Sequence, residues 1–145
     1  MRVAALDIGE KRVGVAISDS AGAVATPHGV WDASDIAGDA RRLREFIDEY
    51  EVGVLVVGIP YSLSGEKGPQ ARKVEQTAAR LDEILDVPVV LFDERLSSAE
   101  ARRVMRAEGL DERRMRGRID KVAAAVMLQA FLDRERRNFR DDAEA

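Results

Sequence analysis

Four acidic residues stand where apolar segments of this sequence end or begin. Asp7 lies near the end of the first apolar run, Asp93 and Glu94 directly follow another, and Asp120 precedes an almost wholly apolar stretch. An isolated carboxylate is costly to bury beside such segments. If folding brings these carboxylates together, their like charges repel, and they persist as anions only with cations between them.

The sequence restricts the cation and the chemistry that such a cluster would support. It has no cysteine and one histidine, His28, so a metal site must use oxygen ligands, which favours Mg²⁺ or Mn²⁺. Paired divalent ions held by carboxylates hydrolyse phosphodiesters, because one ion activates the attacking water and the other stabilises the leaving oxygen. This chemistry needs no serine or cysteine nucleophile, and the sequence shows no such triad.

Each acidic residue also has an ordinary structural explanation. For Asp7 considered alone, a structural role, as a cap or in an ion pair with Lys11 or Arg12, explains the residue as well as a metal site does. The acidic pair after the later strand could form a strand-to-helix turn that the following arginine neutralises. Asp120 considered alone is better explained as a helix N-cap. Only the combination of all these positions favours a metal site.

The predicted strands would bring the acidic residues to one edge of a sheet. Apolar patterns predict strands over residues 2–8, 12–18, 23–31, 52–59 and 87–92. The first three have short connections and predict an antiparallel meander, whereas the continuous apolar runs of the last two are typical of parallel strands. Because parallel strands gather their carboxyl ends along one edge, Asp7 and Glu94 are expected close together there.

Helical periodicity alternates with the later strands and predicts an α/β fold. Helices are expected over residues 36–50 with Ser34 as N-cap, from Pro69 onward, from the Ser97 capping box onward, and from Asp120 to residue 132 after an arginine-rich loop at 108–118. Position 120 shares one helical face with Ala124, Met127 and Phe131, a face that must pack on the sheet. The order predicts a mixed five-stranded sheet with helices on both faces.

Length and composition indicate one ordinary globular domain. The chain has 145 residues, of which 46% are hydrophobic and 34% charged, and its formal net charge is −4. This charge argues weakly against a nonspecific nucleic-acid binder, although arginines are concentrated over residues 102–118. The sequence shows no signal peptide and no apolar run of membrane-spanning length, so we expect a cytoplasmic protein without a membrane partner. The expected domain covers residues 1–137, with a polar tail over 138–145.

Four segments of this sequence carry a resemblance to a known family. They are residues 7–19, residues 57–60 with Gly65 and 68–71, residues 93–98, and residues 119–124. In order and spacing they resemble the YqgF family, also called RuvX, of pre-16S rRNA nucleases and Holliday-junction resolvase-like proteins. The resemblance extends to about Asp133. Residues 61–64 depart from an asparagine-containing stretch of many members, so the family's substrate contacts are not carried over to this loop.

The resemblance implies an RNase H-like fold and a metal-dependent nuclease with Mg²⁺ or Mn²⁺. Asp7, Glu94 and Asp120 are implied as the catalytic and metal-binding acids, with Asp93 as an accessory ligand. The expected substrate is the 5′ end of pre-16S rRNA, and four-way DNA junctions are the alternative. The predicted nucleic-acid contacts are Lys11, Arg12, Arg95, Arg113, Arg114, Arg116 and Arg118.

Two other classes of protein remain open from the sequence. ATP-binding proteins of the actin and sugar-kinase type also begin with Asp-x-Gly before a hairpin, but they need two such domains and this chain has room for one. A non-catalytic nucleic-acid or ribosome-associated module could keep the same fold, although retention of all three acids speaks against it. A junction resolvase would act as a symmetric dimer, so a second copy of the chain is a further candidate partner.

Overall fold

The chain folds into a mixed sheet with α-helices on both of its faces. A computed structural model describes residues 1–62, 64–96 and 112–144, with the side chains of 122–140 in the last range. The strands are β1 (Arg2–Ile8), β2 (Arg12–Ser18), β3 (Ala25–Asp32), β4 (Val52–Ile59) and β5 (Val89–Asp93). The α-helices of the described ranges are α1 (Arg41–Tyr50), α2 (Pro69–Ile84) and α3 (Glu112–Glu144).

The strand order is β3-β2-β1-β4-β5, with β1, β2 and β3 antiparallel and β4 and β5 parallel to β1. This confirms the predicted meander and parallel pair. The third strand begins two residues later than expected, because the Asp19 carboxylate accepts hydrogen bonds from the backbone N–H groups of Ala23 (2.7 Å) and Val24 (3.1 Å) and holds them in the preceding turn.

Alternating side chains of the strands divide the core into two layers. Leu6, Val13 and Val15 lie on one face of the sheet and pack with residues of α1 and α2. Ala5 and Ala16 lie on the opposite face with Ala124, Met127, Leu128 and Phe131 of α3. Asp7 is two residues beyond Ala5 on β1, so it faces the α3 side of the sheet.

The start of the first long helix differs from the prediction. Residues 33–36 form a 3-10 helix capped by Asp32, and α1 begins only at Arg41. Gly38 has a φ of 58° and Ala40 a φ of 51°, both in the left-handed region. These two residues separate the 3-10 helix from α1, because left-handed backbone cannot continue a right-handed helix. Ser34 is therefore inside the 3-10 helix and is not the N-cap of α1.

The last helix is much longer than predicted. Residues 112–118 belong to α3 rather than to an arginine-rich loop, and Asp120 lies inside this helix rather than at its N-cap. Glutamate, arginine and methionine are good helix formers, and a single interior glycine, Gly117, costs only about 1 kcal/mol. The helix predicted from Ser97 lies outside the described residues. Residues 138–144, predicted as a polar tail, continue α3 as helix.

The direction of α3 relates its residues to the two ends of the sheet. Phe131 and Leu132 line a groove with Val3 and Val54, near the amino ends of β1 and β4. Met127 lies instead against Gly58, near the carboxyl end of β4. The helix therefore runs antiparallel to these strands, and its earlier turns lie toward their carboxyl ends. None of the described helices is long and apolar enough to cross a membrane.

Candidate active site

The sheet brings Asp7 and Glu94 together at the carboxyl ends of three neighbouring strands. In the register of β1 and β4, Leu6 is opposite Val57, and in that of β4 and β5, Ile59 is opposite Asp93. Asp7 and the end of β5 are therefore nearly level across the sheet. A 3-10 helix from Glu94 to Leu96 begins directly after β5 and turns the chain there.

Gly58 lies on β4, the strand between β1 and β5, and provides the space that Glu94 occupies. A Cβ atom at this position would lie 2.7 Å from Glu94 Oε1 and 2.8 Å from its Cγ, and 2.5 Å from Met127 Sδ. The Glu94 side chain thus lies across β4 toward Asp7 only because residue 58 has no side chain. Gly58 belongs to a segment that carries the family resemblance, but this role was not predicted; a glycine inside an apolar strand is the signal that indicates such a close approach.

The electrostatics of Glu94 are those of a carboxyl held away from water. Burial, the largest cause, raises the pKa of Glu94 from its usual 4.5 to about 9, helped by a hydrogen bond with Asp7 and by the negative charges of Asp7 and Asp93. The Oε1 atom of Glu94 is buried and has no hydrogen-bond partner among the side chains and backbone groups that the structure describes. A buried acceptor left unpaired beside a second carboxyl is costly in a metal-free protein and matches the surroundings of a cation ligand.

Asp93 is engaged by Arg95 in the same turn. The Nε atom of Arg95 donates to both carboxylate oxygens of Asp93, at 3.1 and 3.0 Å, and Nη2 donates to Oδ2 at 2.6 Å. The Arg95 hydrogen bonds lower the pKa of Asp93. This is the neutralised turn that the sequence offered as the alternative explanation for the acidic pair, and Glu94 is not part of it.

Lys11 and Arg12 are exposed at the turn between β1 and β2, on the chain segment that follows Asp7. Neither residue forms an ion pair with Asp7 in the part of the chain that the structure describes. The alternative in which Asp7 serves only to neutralise one of these cations therefore finds no support. Both cations are available to a negatively charged ligand.

The third predicted acid is placed by its backbone alone. Position 120 is one helical turn before Ala124, which is fully buried against the sheet. The side chains of Asp120, Arg113, Arg114, Arg116 and Arg118 lie outside the described ones. Among the side chains that are described, no three potential ligands form a metal-binding group. The structure thus brings two of the three predicted acids together, and the position of the third remains a prediction.

His28 and several aromatic residues make packing contacts with one another. His28 contacts the rings of Phe46 (4.8 Å between centroids) and Tyr50 (5.5 Å), and Phe46 also packs edge-on against Trp31 (5.3 Å). Phe131 packs against Phe92 under α3. None of these ring contacts involves Asp7 or Glu94.

Solved structures of low sequence identity share this fold. RuvC of T. thermophilus in complex with a Holliday junction substrate matches with a TM-score of 0.56 at 18% identity, covering 93% of this chain and 96% of that one. The fowlpox virus Holliday junction resolvase matches with a TM-score of 0.53 at 12% identity, covering 92% and 99%. The RNase H-like fold expected from the sequence is thereby confirmed.

Sequence comparison adds the family. A curated relative from Thermoanaerobacter pseudethanolicus is 41% identical over 138 residues, 94% of this chain and 99% of that protein. One from Anaeromyxobacter dehalogenans is 46% identical, covering 92% and 98%. Both carry the name "Putative pre-16S rRNA nuclease". The family model described as "RuvX: Holliday junction resolvase" matches residues 1–134. The chain therefore belongs to the RuvX family, also called YqgF.

Proposed function

We propose that this protein is a divalent-metal-dependent endonuclease that hydrolyses nucleic-acid phosphodiesters, with the 5′ end of pre-16S rRNA as its substrate. The observation that carries the proposal is the buried Oε1 of Glu94, which has no hydrogen-bond partner in the described part of the chain and lies beside the carboxyl of Asp7 at the carboxyl edge of the sheet. A structural carboxyl in that position would have a hydrogen-bond donor; a metal ligand needs none.

The donor set fits a hard divalent cation. Asp7 and Glu94 offer carboxylate oxygens, and Asp120 is proposed to add a third from α3. Mg²⁺ or Mn²⁺ accepts such ligands and, when bound, would activate a water molecule and stabilise the leaving oxygen. Binding requires Glu94 to release the proton that its surroundings favour, so ligand formation and deprotonation are coupled.

Cationic side chains around the carboxyl edge of the sheet are proposed to bind the substrate. Lys11 and Arg12 are exposed on the turn after β1 and are free to contact phosphate oxygens. The four arginines between 113 and 118, on the early turns of α3, are proposed to contact the nucleic-acid backbone on the other side of Asp120. Such contacts orient a substrate without reading its sequence.

Two nucleic acids are candidate substrates. The curated relatives' names support pre-16S rRNA. The description of the family model, which names Holliday junctions, favours four-way DNA as the second candidate. A junction resolvase would cut two strands symmetrically and would therefore act as a dimer.

Both candidates are tested by Mn²⁺-dependent cleavage of a pre-16S 5′ precursor RNA and of a four-way DNA junction, mapped at single-nucleotide resolution. Wild type is expected to cleave the RNA at a defined position, and Asp7→Asn, Glu94→Gln and Asp120→Asn are expected to lose the activity. Arg44→Ala on α1 serves as the control and should cleave normally, because it removes only an exposed ion pair with Asp39.

Preferential junction cleavage by a dimeric sample would replace the RNA assignment with the DNA one. Equal cleavage by wild type and all three acid variants would place the activity elsewhere. Binding of the RNA without cleavage at any metal concentration would identify a non-catalytic module.

A further inference from the structure

Arg95 joins the turn after β5 to the segment that follows β4. We propose that Arg95 is a positioning residue: Asp93 holds its guanidinium, and the guanidinium fixes Tyr61 and Ser62 beside the metal-binding edge. In this role Asp93 acts through Arg95 and is not the accessory metal ligand expected from the sequence. The inference rests on the proposed nuclease function for its effect on catalysis, and on contacts alone for its effect on structure.

The contact between Asp93 and Arg95 uses both carboxylate oxygens. Besides the three guanidinium hydrogen bonds, the backbone N–H of Arg95 donates to Asp93 Oδ1 at 3.0 Å. The side chains of Asp93 and Arg95 are 23% and 37% exposed, so this pair is better shielded from water than the exposed pair Arg41–Glu45, at 80% and 66%. A charge-assisted, multidentate pair of this kind fixes orientation as well as distance. Asp93 thus has little freedom to turn toward a cation at Glu94.

The other side of Arg95 contacts the segment after β4. The guanidinium carbon lies 5.4 Å from the centre of the Tyr61 ring, within the range of a cation–π contact. Its Nη1 donates to the backbone carbonyl of Ser62 at 3.5 Å. Tyr61 in turn is half-buried against the core layer under α2. One side chain therefore ties two strand ends together.

Ser62 is the residue on which the following turn is built. Its carbonyl accepts the N–H of Gly65 at 2.9 Å, and its Oγ accepts the N–H of Glu66 at 3.1 Å. Gly65 has a φ of 85°, and a Cβ there would lie 3.5 Å from Arg95 Nη1, so the turn folds back close to the guanidinium. Fixing Ser62 consequently fixes the hydroxyls and N–H groups of this turn relative to Glu94.

The test compares Arg95→Ala, Asp93→Asn and the double variant in the full-length protein. Arg42→Ala is the matched control, because Arg42 also pairs with an aspartate, Asp35, and lies over an aromatic ring, Trp31, but does so next to α1. Three measurements are made: amide hydrogen exchange at Gly65 and Glu66, Mn²⁺ affinity by calorimetry, and the kinetics of RNA cleavage, which give KM and kcat.

Both single variants are expected to speed exchange at Gly65 and Glu66 and to raise KM by about tenfold, the size of one lost charge-assisted hydrogen bond. Mn²⁺ affinity and kcat should stay within about twofold of wild type. The double variant should be no worse than Arg95→Ala, because Asp93 acts only through Arg95. Arg95→Lys should recover part of the KM, and Arg42→Ala should change none of the three.

Two results would overturn the inference. Weaker Mn²⁺ binding by Asp93→Asn, in the presence and in the absence of Arg95, would make Asp93 a metal ligand. A raised KM in Arg95→Ala with unchanged exchange at Gly65 and Glu66 would make Arg95 a direct phosphate contact. If wild type shows no cleavage, the proposed function fails, while exchange and Mn²⁺ affinity still decide the role of Arg95.

Discussion

At the scale of single residues, the site depends on the packing of Glu94 over Gly58. A Cβ atom at this glycine would come too close to both Glu94 and Met127 of α3. Both neighbours are flexible side chains, so a small substitution can be absorbed by moving them. The effect of such a substitution should therefore fall on the position of the Glu94 carboxyl more than on the fold.

Gly58→Ala is expected to lower Mn²⁺ affinity by about tenfold, because the added methyl displaces the Glu94 carboxyl from Asp7. Calorimetric titration with Mn²⁺ measures this directly. The control is Gly29→Ala on the edge strand β3, where a Cβ would meet nothing within 4 Å. Equal affinities for wild type and Gly58→Ala would mean that Glu94 is not held by this packing.

The raised pKa of Glu94 predicts how stability depends on pH without metal. The folded state keeps a proton that the unfolded chain releases above its usual pKa of 4.5, so raising the pH from there to about 9 destabilises the metal-free protein. The largest possible slope is about 1.4 kcal/mol per pH unit. Glutamine resembles the protonated carboxyl and does not titrate, so the stability of Glu94→Gln should not fall in this way as the pH rises.

Urea denaturation in EDTA tests the prediction. Glu94→Gln should be close to wild type at pH 5 and more stable than wild type at pH 8, and added Mn²⁺ should stabilise only the wild type. A variant that is less stable than wild type at pH 8 would show that Glu94 is ionised and well paired in the metal-free fold.

At the scale of elements, the strands and the start of α2 at Pro69 were predictable, whereas the starts of α1 and α3 were not. Alternation of Val13, Val15 and Ile17 defines β2 from the sequence, since each apolar residue must face the same layer. The beginning of α3 has no comparable apolar stripe: its arginine-rich first turns and Gly117 resemble a loop, and helix propensity alone gives a weak signal there. The start of α1 was missed because the apolar periodicity of the sequence continues without a break through residues 38 and 40, where the backbone is left-handed and the helix is interrupted.

Polar side chains of α3 join it to the edge of the sheet, and Gln129 makes the shorter hydrogen bonds; Arg136 donates to the carbonyl of Ala23 at 3.3 Å. Gln129 accepts the N–H of Ala25 at 2.8 Å and donates to the carbonyl of Ala23 at 3.0 Å, so it extends the hydrogen bonding at the start of β3. Gln129→Ala should lower the free energy of unfolding by about 1–3 kcal/mol, because the N–H of Ala25 loses its side-chain acceptor and the carbonyl of Ala23 keeps only the longer hydrogen bond from Arg136, at 3.3 Å.

Urea denaturation of Gln129→Ala measures this loss, with exposed Gln76→Ala on α2 as the matched control. Stability equal to that of Gln76→Ala would mean that water or Arg136 replaces the hydrogen bonds of Gln129 and that this side chain does not help to hold α3.

At the scale of the whole molecule, topology explains which part of the site the sequence could predict. Parallel pairing of β1, β4 and β5 follows from their apolar runs, and it brings Asp7 and Glu94 to one edge although 86 residues lie between them in the chain. The role of Gly58 could not be predicted, because it depends on the register that places it beneath Glu94. The Asp93–Arg95–Tyr61 contacts likewise depend on how two turns meet.

The central claim is that Asp7 and Glu94 jointly hold a divalent ion, and anomalous diffraction from crystals grown with Mn²⁺ tests it most directly. An anomalous peak about 2.0–2.2 Å from a carboxylate oxygen of each residue, with Asp120 as a further ligand, is the predicted result. Saturating Mn²⁺ with no peak between Asp7 and Glu94, and the two carboxyls still hydrogen-bonded to each other, would contradict it.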